Sequence, residues 1–277
     1  GRPVADAAAR VDAATTWAVD SLPEAVGRDA DAIVDAMIAG ELGGLVVGGV
    51  DPDDTADPAA TRAALEAVSF VVALDLRETE VTRAADVVLP VAPVSDKGGT
   101  FVTWEGRPRP FEAVLQNAGS LPDLRALSGI AEELAALGQG KALGFRTVAE
   151  VRDEMTEMGP WDGDRAASPT VTAARPATGV RLATWRQLLD NGRLQDGDPA
   201  LRATARDAVV RIPAALAGDL GDTVTVTGDR GSITLRAVVT DDLADDTVWV
   251  PANSFGRGVL ADLASPGSTV TVTGGTL

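Results

Sequence analysis

Adjacent carboxylates and glycine clusters are the features of this sequence that could do chemistry. Asp53 stands beside Asp54, Asp241 beside Asp242 and Asp245 beside Asp246. Two carboxylates hydrolyse a glycosidic bond only when a cleft holds them at a set separation. These pairs sit in Pro- or Asp-rich turn contexts and read as solvated loop faces. Gly43, Gly44, Gly48 and Gly49 do not form the G-x-G-x-x-G of a dinucleotide site, and neither Lys97-Gly98-Gly99-Thr100 nor Gly140-Lys141-Ala142 completes a P-loop. Gly48-Gly49 reads instead as a tight strand-to-loop turn. Cysteine and histidine are both absent. That removes disulfides, thiolate nucleophiles, zinc sites, imidazole acid/base catalysis and iron–sulfur clusters held by this chain. A serine hydrolase would lack its base, and G-x-S-x-G does not occur.

With 24 Lys plus Arg against 41 Asp plus Glu, the formal net charge is −17, and 45% of the 277 residues are hydrophobic. This is the balance of a soluble globular chain long enough for two cores. An acidic chain without a basic run opposes phosphate backbones, so no nucleic-acid partner is expected. No window approaches the ~18 apolar residues of a membrane-spanning helix. The chain opens on Gly1 with neither a secretory nor a transit-like leader, and reads as a fragment or processed piece.

The elements that must position any site follow from periodicity. Ala5 to Val19 is Ala-rich and helix-favouring, and Asp29 to Ile38 carries apolar residues at helical spacing up to Gly40. Gly43 to Val50 (GGLVVGGV) predicts a strand buried on both faces of a parallel sheet. Ala59 to Val68 then predicts a helix, Ser69 to Leu74 a second buried strand, Glu78 to Ala85 a helix, and Asp86 to Leu89 a third strand closed by Pro90. Such alternation argues for right-handed parallel β-α-β units, with ligands at the edge where the strands end. That edge carries Gly48, Gly49 and Asp51, then Asp75, Arg77, Glu78 and Thr79, then Pro90 through Lys97.

Two further helices are predicted, each with capping-box spacing at its start: Ser120 with Asp123, and Thr147 with Glu150. Their apolar stripes, Leu124 to Leu137 and Phe145 to Met155, read as core. Trp161 to Gly179 is rich in small residues, Pro and Asp, the composition of a linker. Beyond it the period becomes two. Val224 and Val226, the turn Gly228-Asp229-Arg230-Gly231, and Ile233, Leu235, Ala237 and Val239 predict a hairpin. Val209 to Pro213, Val248 with Val250 and Val270 with Val272 add strands. Short strands must hide their edges, which predicts a small closed barrel. The expected domains are 1–160 (α/β), 161–179 (linker) and 180–277 (all-β).

The segment ETEVTRAADVVLPVAPVSDKGGTFVTWEGRPRPF, from Glu78 to Phe111, resembles the molybdopterin oxidoreductase superfamily. Two blocks occur in order: Ala85, Asp86, Leu89 and Pro90, then Lys97, Gly99, Thr100, Phe101, Glu105, Gly106 and Arg107. Within the superfamily they look most like the large iron–sulfur subunit of bacterial respiratory NADH:quinone oxidoreductases (complex I), of which this sequence resembles a C-terminal part. Leu220 to Val226 and Ile233 to Val239 are similar to the double-psi β-barrel that closes molybdopterin-dinucleotide enzymes. Thr103 stands where relatives often have Asn, and Arg109 where they often have Gln, so a polar network is expected to be altered. Phe101 and Trp104 are expected in the core.

The resemblance implies an α/β layer of the molybdopterin oxidoreductase type followed by a small double-psi β-barrel. Asp75, Arg77, Thr79, Lys97, Gly99, Thr100 and Arg107 then line a vestigial or possible pterin cleft. No catalytic residue and no metal ligand is expected in this chain. Iron–sulfur clusters belong to the missing N-terminal part of the parent subunit. Other subunits of the respiratory complex are the implied partners, and they alone attach it, peripherally, to the cytoplasmic side of the membrane. The alternative is the C-terminal part of a molybdopterin-dinucleotide enzyme such as a formate dehydrogenase, with molybdopterin bound. An independent nucleotide-binding module is a third reading.

Overall fold

The computed structural model describes residues 1–277 apart from 116–118, 120, 166, 168–169, 171–177, 194, 196, 256, 260–262 and 277. The chain forms two compact units, Gly1–Val50 with Leu65–Thr170, and Asp51–Ala64 with Val171–Leu277.

The first unit opens with α1 (Ala7–Thr16) and α2 (Ala30–Ile38), each started by an aspartate whose carboxylate accepts a backbone N–H of the first turn, Asp6 from Ala9 and Asp29 from Ala32, both at 2.9 Å. In chain order β1 (Leu45–Gly48), α3 (Pro58–Ala67), β2 (Val71–Asp75), α4 (Glu80–Ala84) and β3 (Val87–Pro90) then alternate; α3 counts with the second unit through Ala64 and with the first from Leu65. The three strands form a parallel sheet in the order β1-β2-β3, with Val46 beside Val72 and Val72 beside Val87.

Strand alternation gives β2 two working faces. Ala73 packs with Leu65 of α3 and Val81 of α4, while Leu74 packs with Val91 and Ala126. The expectation of burial on both faces holds for β2 and fails for β1, where half-buried and exposed residues alternate and Val46 is exposed. The physical reason is position: β2 is central, whereas β1 and β3 are edges of a sheet only three strands wide.

After β3 comes an antiparallel pair, β4 (Gly99–Val102) and β5 (Pro108–Phe111), in which Gly99 faces Phe111 and Val102 faces Pro108. Core positions were expected for Phe101 and Trp104. They are instead 59% and 94% exposed: Phe101 sits on a strand pair without a covering sheet, and Trp104 in the turn that joins the two strands. Phe101 stacks on Phe111, ring centroids 4.7 Å apart.

Next are α5 (Asp123–Ala136) and α6 (Val148–Met158). The expected cap Ser120 lies outside the described residues, and Pro122 occupies the N-cap without a side-chain bond. At α6 the Thr147–Glu150 capping box forms as expected. The stripes do not form core: Leu127, Leu134, Leu137 and Met155 are exposed, and α5 buries small residues, Ala126 and Ser128. Much of the expected linker, including 171–177, lies outside the described residues.

The second unit is a closed six-stranded barrel of β6 (Val180–Ala183), β7 (Val209–Ile212), β8 (Thr223–Thr227), β9 (Ser232–Val239), β10 (Thr247–Trp249) and β13 (Thr269–Gly274), in the order β10-β6-β13-β8-β9-β7. Short α7 (Pro199–Arg202), α8 (Ala214–Ala217) and the pair β11 (Asn253–Ser254) and β12 (Arg257–Gly258) lie between strands. β7 with β9, and β6 with β10, pair in parallel. Inward residues Leu182, Val210, Ile212, Val224, Val226, Ile233 and Val248 make the interior. At the β8–β9 turn a Cβ on Gly228 would come within 2.4 Å of the Leu263 carbonyl oxygen, so only glycine fits.

Candidate functional site

The parallel sheet brings the ends of β2 and β3 side by side, with Asp75 in register with Pro90. Asp75 is 5% exposed, and its carbonyl accepts the Val91 N–H at 3.0 Å. Its carboxylate accepts the Leu76 N–H at 2.8 Å and the Thr79 hydroxyl at 3.3 Å. Thr79 caps α4 in a reciprocal box: its hydroxyl oxygen accepts the Thr82 N–H at 3.2 Å, and the Thr82 hydroxyl oxygen accepts the Thr79 N–H at 2.7 Å. Around this turn lies a depression of about 340 Å³ with Asp75, Arg77, Glu78, Thr82, Arg83 and Pro90 in its walls. Arg83 pairs with Glu78 at 3.1 Å. The cup is mixed in charge, and Leu76, Val88 and Pro90 give it a largely apolar wall. A carboxylate on its floor can accept a hydrogen bond from a ligand N–H; no nucleophile with an adjacent base stands there.

The remaining expected residues lie elsewhere in the same unit. Lys97 pairs with Asp123 in the first turn of α5. The carbonyl of Gly99 accepts from Arg152 at 2.6 Å, and the hydroxyl oxygen of Thr100 accepts from the same guanidinium at 3.2 Å. A Cβ on Gly99 would meet the Phe111 ring at 2.8 Å, so that ring occupies the space a side chain would take. Arg107 is exposed in the β4–β5 turn, its backbone N–H donating to the Thr103 hydroxyl oxygen at 3.2 Å. Thr103, one of the two departures from the family pattern, thus closes the turn, and its N–H donates to the Arg107 carbonyl at 3.0 Å. Arg109, the other, donates to the Pro108 carbonyl at 3.1 Å. Among the described residues no ion pair joins Glu105 to Lys97 or Arg107. The structure therefore joins Asp75 with Thr79 directly and Gly99 with Thr100 through Arg152, and engages Lys97 and Arg107 separately.

Two residues that periodicity does not mark carry much of this arrangement. Arg152 of α6 also donates to the Phe111 carbonyl at 3.4 Å and pairs with Glu112 at 2.9 Å. Asp86, in the ADVVLP block, accepts the Val71 N–H on its carboxylate at 2.7 Å while its own N–H donates to the Val71 carbonyl at 2.9 Å. An aspartate directly ahead of a valine-rich strand is the signal for it. On α6, the backbone N–H groups of Arg146 and then Thr147, followed by the Thr147 hydroxyl, hold the Glu150 carboxyl below the usual carboxylate range.

Residues 7–135 match the molybdopterin oxidoreductase family and residues 181–273 the molydopterin dinucleotide binding domain. Most of the chain is thus similar to parts of molybdopterin oxidoreductases. A solved acetylene hydratase from Pelobacter acetylenicus shares the fold at a TM-score of 0.52 and 15% identity, over 82% of this chain and 39% of that one. The chain is also similar to the G subunit of NADH-quinone oxidoreductase: it is 46% identical to the protein of Mycobacterium bovis over 94% of its own length, and 43% identical to that of Streptomyces coelicolor over 98%. It spans 33% of each of those relatives. Formate dehydrogenases match over shorter stretches, between 35% and 57% of this chain.

Proposed function

We propose that this chain is a structural, non-catalytic, C-terminal portion of the large iron–sulfur subunit of a proton-translocating NADH:quinone oxidoreductase. The observation that carries the reading is 43–46% identity with the G subunits of NADH-quinone oxidoreductases over nearly the whole chain, in a sequence with neither cysteine nor histidine. Iron–sulfur clusters need thiolate or imidazole ligands. Those of the parent polypeptide accordingly belong to its other part, and this portion supplies scaffold and surface. The partners are the other subunits of the complex. Attachment is peripheral, on the cytoplasmic side, and through those partners; no described helix is long and apolar enough to cross a membrane.

The finer architecture is an α/β layer of the molybdopterin oxidoreductase type over 1–160, a linker over 161–179 and a double-psi β-barrel over 180–277. The parallel sheet and the two parallel strand pairs within a closed barrel support it.

The expected cleft residues do not fit a pterin dinucleotide as a set. Its phosphates need free cations or N–H donors. Lys97 is engaged by Asp123, Thr100 by Arg152, and the space at Gly99 by Phe111. Arg107 stands apart in an exposed turn. The hairpin residues act as internal scaffold.

A second reading, a molybdopterin-dinucleotide enzyme such as a formate dehydrogenase, draws on the buried Asp75 carboxylate at the floor of the sheet-edge cup. Affinity-tagged parent polypeptide separates the two. The respiratory reading expects the tag to purify with NADH:quinone reductase activity. Purification with formate-dependent dye reduction and without NADH oxidation overturns it.

A further inference from the structure

The β4–β5 pair ends in an aromatic, cationic tip that the respiratory reading leaves without a role. Trp104, in the turn, is 94% exposed, and Phe101 and Val102 of β4 are exposed beside it. The register sets Arg109 opposite Phe101, so both stand on the face where Phe101 stacks on Phe111. Arg107 and Arg109 are exposed and pair with no carboxylate among the described residues. Glu105 is the one acid between Gly99 and Phe111, so this tip is net positive on a chain of net charge −17. Neither Trp104 nor Arg109 belongs to the sequence blocks shared with molybdopterin oxidoreductases.

The tip is held in shape. The Gly106 N–H donates to the Thr103 carbonyl at 2.8 Å, the Thr103 N–H donates to the Arg107 carbonyl at 3.0 Å, and Gly106 takes a φ of +80° that glycine adopts without strain. Arg152 ties β4 and β5 to α6. A preformed surface has little ordering entropy left to lose on binding. Pro108 and Pro110 have no N–H to offer an added strand, so recognition here falls to side chains.

Composition and charge select the occupant. An exposed tryptophan among arginines is what the centre of a protein interface contains. Phosphate backbones and anionic bilayers repel a chain this acidic. A protein slot rimmed by a few carboxylates attracts two arginines at short range. The charges beside Trp104 also suit a boundary between polypeptides, whose rim stays polar, better than the interior of one fold.

We propose that this tip docks into another subunit of the respiratory complex, with Trp104 entering an apolar slot and Arg107 and Arg109 meeting Asp or Glu on its rim; the partner's identity rests on the respiratory reading. The test uses the affinity-tagged full-length parent polypeptide, purified with its complex, carrying a photoreactive benzophenone side chain installed at Trp104. Irradiation and peptide mass spectrometry should find an adduct on another subunit, in a segment that bears Asp or Glu beside apolar residues. In separate preparations, Trp104→Ala combined with Arg109→Glu should lower recovery of that subunit about tenfold, as loss of an interface anchor does. Hydrogen exchange at the β4 and β5 amides checks that the double variant keeps its fold; should it not, the exposed single change Arg109→Glu decides. An adduct confined to the parent polypeptide, an adduct on a segment without carboxylates, no adduct, or unchanged recovery from the folded variant overturns the inference and leaves the respiratory reading standing. Purification of the unsubstituted parent without NADH:quinone reductase activity overturns both.

Discussion

Arg152 of α6 donates to the Gly99 carbonyl of β4 at 2.6 Å, across 53 positions of sequence. The same guanidinium reaches the Thr100 hydroxyl oxygen, the Phe111 carbonyl and the Glu112 carboxylate. One side chain therefore ties both strands of the β4–β5 pair to a helix, and the Lys97–Thr100 block of the family motif becomes part of a clamp.

That clamp gives a first prediction. Lysine offers a point charge and no fork, so Arg152→Lys is expected to cost about 1–3 kcal/mol. The loss should be local. Hydrogen exchange is expected to quicken at the β4 and β5 amides and stay unchanged in α1; uniform exchange across both regions contradicts the clamp.

Gly99→Ala places a methyl group against the Phe111 ring, where the nearest ring carbons would lie 2.8 and 3.0 Å away. Overpacking of this kind costs about 1–3 kcal/mol. Because the obstruction is one side chain, Phe111→Leu in the same chain should recover much of the loss. Urea denaturation of the two single variants and the double variant measures the coupling, and strictly additive effects would refute the close approach.

Asp86→Ala removes the acceptor of the buried Val71 N–H at the start of the central strand. The expected destabilisation is about 1–2 kcal/mol, read as a lower urea midpoint with unchanged slope. Asn at this position keeps an acceptor and should fall between. Wild-type stability of the alanine variant would show that Asp86 does not pin the strand.

The Glu150 carboxyl is held low chiefly by the Arg146 and Thr147 backbone N–H groups. A carboxyl with a folded-state pKa below its unfolded value contributes stability that is complete above the unfolded pKa and disappears as pH falls through the folded one. Protection of the first-turn amides of α6 should therefore decline at acid pH, below the usual carboxylate range. In Glu150→Gln that decline should be absent. NMR titration of the Glu150 side-chain carbon checks the direction; a midpoint at or above the ordinary carboxylate value contradicts it.

The parallel sheet was legible because valine-rich runs of four or five residues alternate with Ala-rich helices, and its middle strand has the expected burial. The barrel was legible from the two-residue period of Val224 to Val239, which matches β8 and β9. β6 was not, since Val-Arg-Leu-Ala is too short to show a period. The β4–β5 pair was also missed: Gly99, Pro108 and Pro110 depress strand propensity, and tertiary bonds from Arg152 stabilise the pair instead. Phe101 failed as a core residue because burial needs a covering layer that a lone strand pair lacks, and Trp104 because it falls in the turn between the strands. Of the candidate site, the Asp75–Thr79 turn could be placed at the sheet edge from strand order alone. The engagement of Lys97 by Asp123 could not, because the two are 26 positions apart and share no periodic pattern.

The claim that this segment is scaffold and not a pterin enzyme is tested most directly by metal and pterin analysis of the full-length parent polypeptide. Plasma mass spectrometry for molybdenum, tungsten and iron, with fluorescence of oxidised pterin on the same sample, should find iron without stoichiometric molybdenum, tungsten or pterin. One or more molybdenum or tungsten atoms per polypeptide, accompanied by pterin, contradicts it.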